Sequence, residues 1–327
     1  MNAMSGVDGL VEVHPVWALA AAVLLGVVAT AAACLDGALV TRQAGGSVRH
    51  GLGLPVTETA RLLRQRRRTL IAADVPLWRV GSGGLVVVAL LMVAVVPLGR
   101  WTLADLAVGV VWFNAMDVMV WALVWLAGWG ANSTYSLIGG YRFLAQAMAY
   151  ELPLMFALTA PAVAASSLRV GDVVGAQEEL WFVVWMPVAF GVYCLSVTGF
   201  SVWGPLAPAV GVDLAGGVLA ETSGADRLLL QAGRYALLTA GAAFAVPLFL
   251  GGGAGPVLPD WLWVLVKTLL LLAAFILLGR RMPTVRPDKL VEVGWVVLVP
   301  AVLLQLLIVA LVVVQDSGAG GGMPGMG

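Results

Sequence analysis

Apolar residues come in eight long continuous runs, at about 16–39, 81–98, 103–129, 143–165, 180–202, 235–250, 261–278 and 291–314. Most approach or exceed the roughly 20 residues that carry a helix across a bilayer. Within each run the apolar positions follow one another without the alternation that a membrane barrel strand would need. The pattern therefore predicts eight transmembrane helices, whose backbone groups are satisfied within each helix. Between the runs, 41–78 is polar and basic and 204–234 is mixed and rich in Gly and Pro. From 316 the chain is rich in Gly and Met, and we expect a disordered tail over 316–327. No internal repeat is visible, which disfavours a stand-alone transporter built of duplicated halves.

Composition agrees with this pattern. Of 327 residues, 61% are hydrophobic and 11% charged, and the mean hydropathy is +0.98; a soluble domain carries roughly 25% charged residues. We expect one membrane domain over 1–315, an all-α polytopic fold. Cys34 and Cys194 both lie in apolar runs and read as small hydrophobic filler. Two histidines, His14 and His50, are too few for paired haem ligands, and no metal-ligand spacing occurs. Asp8 and Glu12 ahead of the first run argue against a cleaved signal peptide.

The placement of cations sets an orientation. If the segment after the first span is cytoplasmic, that side receives Arg42, Arg49, Arg61, Arg64, Arg66, Arg67, Arg68, Arg79, Arg142, Arg227, Arg234, Arg280, Arg281, Arg286 and Lys289. The opposite side receives only Arg100 and Arg169. The predicted cytoplasmic segments are about 40–78, 130–142, 203–234 and 279–290, and both termini lie outside. The arginines of 61–68 are interleaved with Leu62 and Leu63. They suit a basic amphipathic helix on anionic lipid or against an acidic protein face; nucleic acid is not expected. Trp17, Trp78, Trp101, Trp129, Trp181, Trp203, Trp261 and Trp295 flank the runs and read as interfacial belts.

Ionisable residues inside the runs are the candidate chemistry, because each is costly to bury unpaired. Glu151 falls some eight residues into the fourth run, roughly 12 Å along a helix. Lys267 is the only cation deep in a run and is the expected partner of Glu151 or Asp117. Asp117 would otherwise pair with Asn114. Asp36 and Asp105 lie near span ends, within reach of water.

The stretch Gly128-Trp129-Gly130-Ala131-Asn132-Ser133-Thr134-Tyr135-Ser136-Leu137-Ile138-Gly139-Gly140-Tyr141-Arg142, continuing through Gln146 to Tyr150-Glu151-Leu152-Pro153, resembles the hallmark of the quinone-proximal membrane subunits (H type) of complex I, the NADH-quinone oxidoreductase. A second match runs through Trp263, Lys267, Pro283, Arg286, Asp288, Leu290, Gly294, Trp295 and Pro300. A third links Glu221, Ser223, Gly224, Tyr235 and the end of the sixth run. Asp36 stands at the family's acidic place after the first span, and Pro55, Glu58 and Arg61 fall where the family has Pro, Asp and Lys. The loop after the fifth span departs from the pattern: its carboxylates are Asp213, Glu221 and Asp226 alone, and Arg234 stands where the family typically has Glu.

The resemblance implies a membrane subunit that joins a quinone-reducing arm to antiporter-like pumping subunits in a bacterial-type inner membrane. It implies no redox centre or cofactor on this chain alone, with quinone as the ligand of the assembly and iron–sulfur subunits as partners. It assigns proton relay to Glu151, Lys267, Glu221, Asp213 and Asp36, with Asp117 as a relocated carboxylate. The quinone chamber or subunit interface falls to Arg142, Asn132, Tyr135, Arg61, Glu58, Arg286 and Asp288. No residue is expected to catalyse by itself and none to bind metal. Two alternatives stay open, a membrane anchor of a hydrogenase- or formate-linked complex without quinone and a vestigial structural paralogue.

Overall fold

The computed structural model describes residues 10–68, 70–212 and 215–320. In chain order the elements are β1 (Val11–Glu12), α1 (Trp17–Gln43), α2 (Val48–Arg64), α3 (Val75–Val93), β2 (Trp101–Thr102), α4 (Gly109–Gly130), α5 (Thr134–Ala164), α6 (Val170–Gly175), α7 (Phe182–Trp185) and α8 (Pro187–Phe200). A 3₁₀ turn (Gly204–Val210) leads to α9 (Gly224–Phe249), α10 (Asp260–Arg281) and α11 (Pro287–Val293). A π turn (Gly294–Leu298) then runs directly into α12 (Val299–Gly320). Among the described residues eight helical stretches are long and apolar enough to cross a membrane, with α8 joined to the 3₁₀ turn and α11 to α12. The chain is an all-α polytopic membrane protein. Its two short strands pair in parallel, Val11 with Trp101 and Glu12 with Thr102, and tie the chain ahead of α1 to the turn ahead of α4.

Helix α9 is the centre of the bundle: 78% of its apolar window is buried, against 17% for α1 and for the last span. From Ala236 to Phe249 α9 is apolar on nearly every face and buried at every position but Ala243, as a helix inside a bundle should be. The outer helices turn Leu19, Val23 and Val27, and Leu304, Leu307 and Leu311, outward, where acyl chains replace water as the solvent.

Three spans begin six or more residues earlier than the hydrophobic pattern predicts. Helix α3 starts at Val75 because Asp74 accepts a hydrogen bond from the Leu77 amide at 3.3 Å and Pro76 occupies the first turn. Helix α5 starts at Thr134, so the expected loop at 130–142 is mostly helix, and Glu151 lies about 26 Å along it instead of 12 Å. Helix α9 starts at Gly224, eleven residues before the expected 235, and carries Arg227, Gln231 and Arg234 within its first turns. At the other end of the chain α12 runs through Gly320, so the expected tail is helical over 316–320, and 321–327 lie outside the described residues. Trp78 and Trp203 are buried in the bundle, whereas Trp17, Trp101, Trp129 and Trp295 are exposed.

The α4–α5 hairpin turns in three residues. Asn132 adopts φ 45°, a left-handed conformation that Asn tolerates. A Cβ on Gly128 would stand 2.8 Å from the Ser136 carbonyl, so glycine lets the two helices touch just beyond the turn.

Candidate functional site

Asn114, Asp117 and Trp121 occupy positions three, then four, residues apart on α4, and so share one face. Tyr150 and Glu151 meet them from α5. The Asn114 amide Nδ2 donates to Glu151 Oε1 at 3.3 Å. Asp117 and Glu151 face each other, carboxyl to carboxyl, and the Tyr150 hydroxyl faces both Asp117 and the Trp121 indole. Asp117 and Tyr150 are wholly buried and Glu151 is 8% exposed. Six polar atoms here have no hydrogen-bond partner among the described residues: both oxygens of Asp117, Glu151 Oε2, the Tyr150 hydroxyl, Trp121 Nε1 and Asn114 Oδ1. Each such buried atom costs about 1–3 kcal/mol. Two ionised carboxylates only accept hydrogen bonds, whereas a protonated carboxyl facing an ionised one is a donor–acceptor pair. One proton shared between the two carboxyls would satisfy an oxygen on each helix. The π turn of the last span packs on another face of α5, with Gly294 against the Ala149 carbonyl.

A second polar cluster gathers at the basic end of the bundle. Arg280 grips Asp36 with both Nε, at 2.6 Å, and Nη2, and the Tyr235 hydroxyl donates to Asp36 Oδ2 at 3.0 Å. Asp36 is thus the common anchor of α1, α9 and α10. Arg234, where a Glu was expected, lays its guanidinium over Trp203 and donates to the Val202 carbonyl.

Beside this cluster, Glu221 accepts from Arg68 Nη1 at 2.6 Å and from the Ser133 hydroxyl at 2.9 Å. The Arg68 amide donates to Ser223 Oγ at 2.6 Å, and Arg67 lies 3.7 Å from Asp226. Gly224, at φ +57°, lets the backbone pass the Gln65 carbonyl, which a Cβ would approach to 2.8 Å. Arg142 donates to the Gly216 carbonyl at 2.7 Å. The segment 215–226 is therefore held by the basic segment and by the start of α5. Arg61 and Glu58 pair on the exposed face of α2, and the Arg61 hydrogen bond keeps the Glu58 carboxyl below its ordinary range. Arg286 pairs with Asp288 at 3.2 Å on the surface, and Asn132 and Tyr135 are exposed beside the α4–α5 turn. Asp213 lies outside the described residues.

Lys267 corrects the expected pairing. It reaches neither Glu151 nor Asp117. Its ammonium donates to the carbonyls of Leu250, Gly252 and Ala254 at 2.7, 2.9 and 2.8 Å and sits 4.1 Å over the Trp181 ring. The end of α9 leaves carbonyls without helical donors, and a cation beside them is favoured by both hydrogen bonding and the helix dipole. Gln177 completes this end by donating to the Pro247 carbonyl and accepting from the amides of Phe182 and Gly251. Sequence patterns missed Tyr150, Trp121, Tyr235 and Arg280 as members of these sites.

Asp105 sits in the turn before α4, outside the spans, 3.3 Å from Arg169. Burial raises its carboxyl above the ordinary range, and Arg169 opposes this. A raised folded-state pKa favours folding in the protonated form, a contribution complete below the unfolded value of about 3.9 and lost as pH rises through the folded value. Asp105→Asn should remove that slope, so that the variant gains on the wild type as pH rises above about 4. Thermal unfolding of the detergent-solubilised chain across this range measures it; parallel curves would contradict it.

Residues 16–310 match the family described as NADH dehydrogenase. The chain is 35% identical over 269 residues to the second H-type subunit of the NADH-quinone oxidoreductase of Geobacter sulfurreducens, covering 79% of this chain and 82% of the relative. This chain belongs to the family of H-type membrane subunits of NADH-quinone oxidoreductase. The first H-type protein of Geobacter metallireducens is 34% identical with the same coverage, and the second of Syntrophobacter fumaroxidans is 31% identical over 79% of this chain and 81% of its own.

Proposed function

We propose that this chain links the quinone-reducing arm to the proton-pumping arm of a proton-translocating NADH-quinone oxidoreductase-like assembly. The observation that carries this reading is the facing of Asp117 and Glu151 deep in the bundle, with a Tyr hydroxyl and an Asn amide beside them. An anchor needs no such site, and apolar residues of the same volume would hold the helices together without orphaned polar atoms. In this reading quinone is the substrate of the assembly and the chain holds no redox group of its own. A change of charge at the basic end alters the balance between a proton on Glu151 and one on Asp117. The proton leaves one carboxyl as it reaches the other, so charge is conserved within the pair.

The arginine-rich end faces the cytoplasm, both termini face outward and the membrane is the inner membrane of a bacterial cell. There Arg61, Arg64, Asn132, Tyr135 and Arg286 offer side chains to the peripheral iron–sulfur subunits, and the antiporter-like subunits continue the path laterally. Asp36, locked between Arg280 and Tyr235, and Glu221, locked by Arg68 and Ser133, position this end; Lys267 holds the opposite one.

One observation favours a second reading, an anchor of a hydrogenase- or formate-linked complex. The 3₁₀ turn that replaces the acidic loop buries Leu206, Ala209 and Val210 and offers a quinone no carboxylate. Affinity purification of the chain in mild detergent, with identification of the co-purified subunits, separates the two. We expect iron–sulfur and antiporter-like subunits of an NADH-quinone oxidoreductase type. Hydrogenase-type subunits would select the second reading, and recovery of the chain alone would overturn both.

A further inference from the structure

The two carboxyls that face each other between α4 and α5 have unlike surroundings. Glu151 accepts from the Asn114 amide at 3.3 Å and keeps a small exposed edge. Asp117 is wholly buried, and neither of its oxygens has a hydrogen-bond partner among the described residues. The neighbours of Asp117 do not make up the difference. The Tyr150 hydroxyl and the Trp121 indole make no hydrogen bond to it. Tyr193 faces it from α8 but donates its hydroxyl to the Gly241 carbonyl at 2.8 Å. Lys267, the cation expected to neutralise the pair, is spent on three main-chain carbonyls.

Two adjacent carboxylates in an apolar interior repel each other, and here no cation offsets them, so the pair holds one proton between its members. Donors decide which member keeps it. An ionised carboxylate only accepts, and a hydrogen bond to it is roughly twice as strong as one between neutral groups. Asn114 turns its NH2 group, not its carbonyl, toward Glu151 Oε1. A proton on that oxygen would call for the Asn114 carbonyl instead. Asp117 has no donor turned to it, so an ionised Asp117 would be a buried charge with neither partner nor water. A protonated Asp117 donates across the pair to Glu151.

We infer that the shared proton rests on Asp117, that Glu151 is the ionised member, and that Asn114 is the positioning residue that fixes this order. The assignment deepens the coupling role proposed above and rests on it for its meaning in proton transfer. Within the pair a proton leaves Asp117 and reaches Glu151, and the negative charge moves to Asp117. The Asn114 NH2 group opposes that step, because it favours the ionised Glu151. Asn114 and Asp117 lie three residues apart on α4, so one helix carries both the proton and the group that keeps it there.

The test is infrared spectroscopy of the full chain in mild detergent at neutral pH. A heavy carbon isotope is placed in the side-chain carboxyls of aspartate in one preparation and of glutamate in another. The C=O stretch of a protonated carboxyl stands apart from the amide and carboxylate bands, and the heavy isotope lowers its frequency. Difference spectra against Asp117→Asn isolate the band from other carboxyls. We expect a band that moves with the aspartate label, disappears in Asp117→Asn and persists in Glu151→Gln. Asn114→Leu, which removes the donor at similar volume, should raise the glutamate share of the band over the aspartate share by about tenfold, the low end of what a hydrogen bond to a charged group contributes. Asn114→Gln keeps an amide and should restore the aspartate band, a rescue that a purely structural role would not give. If Asn114→Leu fails to fold, Asn114→Ala removes the same donor. Absence of the band, a band that follows the glutamate label, or a label ratio unchanged without the Asn114 amide would each overturn the inference. The spectrum is taken on the resting chain, so it is separate from the coupling role, which fails instead if Glu151→Gln translocates protons normally.

Discussion

Glu151→Gln should leave the assembly intact and lower proton translocation per quinone reduced by about tenfold or more, with quinone reduction itself less affected. The amide keeps the size of the side chain and its contact with Asn114 but cannot pick up or release a proton. Removing a group that transfers protons typically costs roughly 10²–10⁴ in the step it serves, and the smaller figure allows for a parallel route through water. Asp117→Asn should give a loss of similar size, because Asp117 and Glu151 face each other and act as one unit. The double variant should be no worse than either single one, as residues of one unit are grossly non-additive. Proton uptake by inverted vesicles, normalised to quinone reduction, measures all three. Additive losses would mean that the two carboxyls work separately. Full coupling in Glu151→Gln would remove the pair from the mechanism.

The second large effect concerns Lys267. Lys267→Met keeps the length and apolar stem of the side chain but removes three hydrogen bonds and leaves the carbonyls of Leu250, Gly252 and Ala254 without the ammonium. An orphaned buried acceptor costs about 1–3 kcal/mol, and water reaching this end would recover part of it, so a loss of roughly 2–4 kcal/mol is expected. It should appear as a lower unfolding temperature and as earlier proteolysis after α9. Coupling in the protein that remains folded should be unchanged. A normal unfolding temperature with lost proton translocation would return Lys267 to the relay. Lys267→Arg should rescue poorly, since a planar guanidinium cannot point three donors into one compact carbonyl cradle.

The contrast between these residues explains what the sequence could disclose. The eight spans were legible because lipid forces long apolar runs and nothing else in the chain produces them. Their starts were harder to read. Helices α5 and α9 begin with Thr134, Arg142, Arg227, Gln231 and Arg234, whose polar side chains resemble a loop when only hydropathy is read. Two of them find main-chain partners in neighbouring loops, Arg142 the Gly216 carbonyl and Arg234 the Val202 carbonyl. Asp117 and Glu151 stood out singly as costly charges in apolar runs, but a list of charges favours opposite signs as partners and pointed to Lys267. The real partners of Lys267 are main-chain carbonyls, which no side-chain pattern announces. Asp36 likewise showed as acidic at a span end, while its hold on Arg280 and Tyr235 spans 244 and 199 positions of sequence and arises only when α1, α9 and α10 come together.

The most direct measurement is the number of protons displaced per quinone reduced by the purified assembly, carrying the wild-type chain and sealed into proteoliposomes. The account predicts proton displacement that exceeds the protons consumed by the chemistry and that collapses when an ionophore is added. Sustained quinone reduction in tightly sealed vesicles with no such displacement would contradict it.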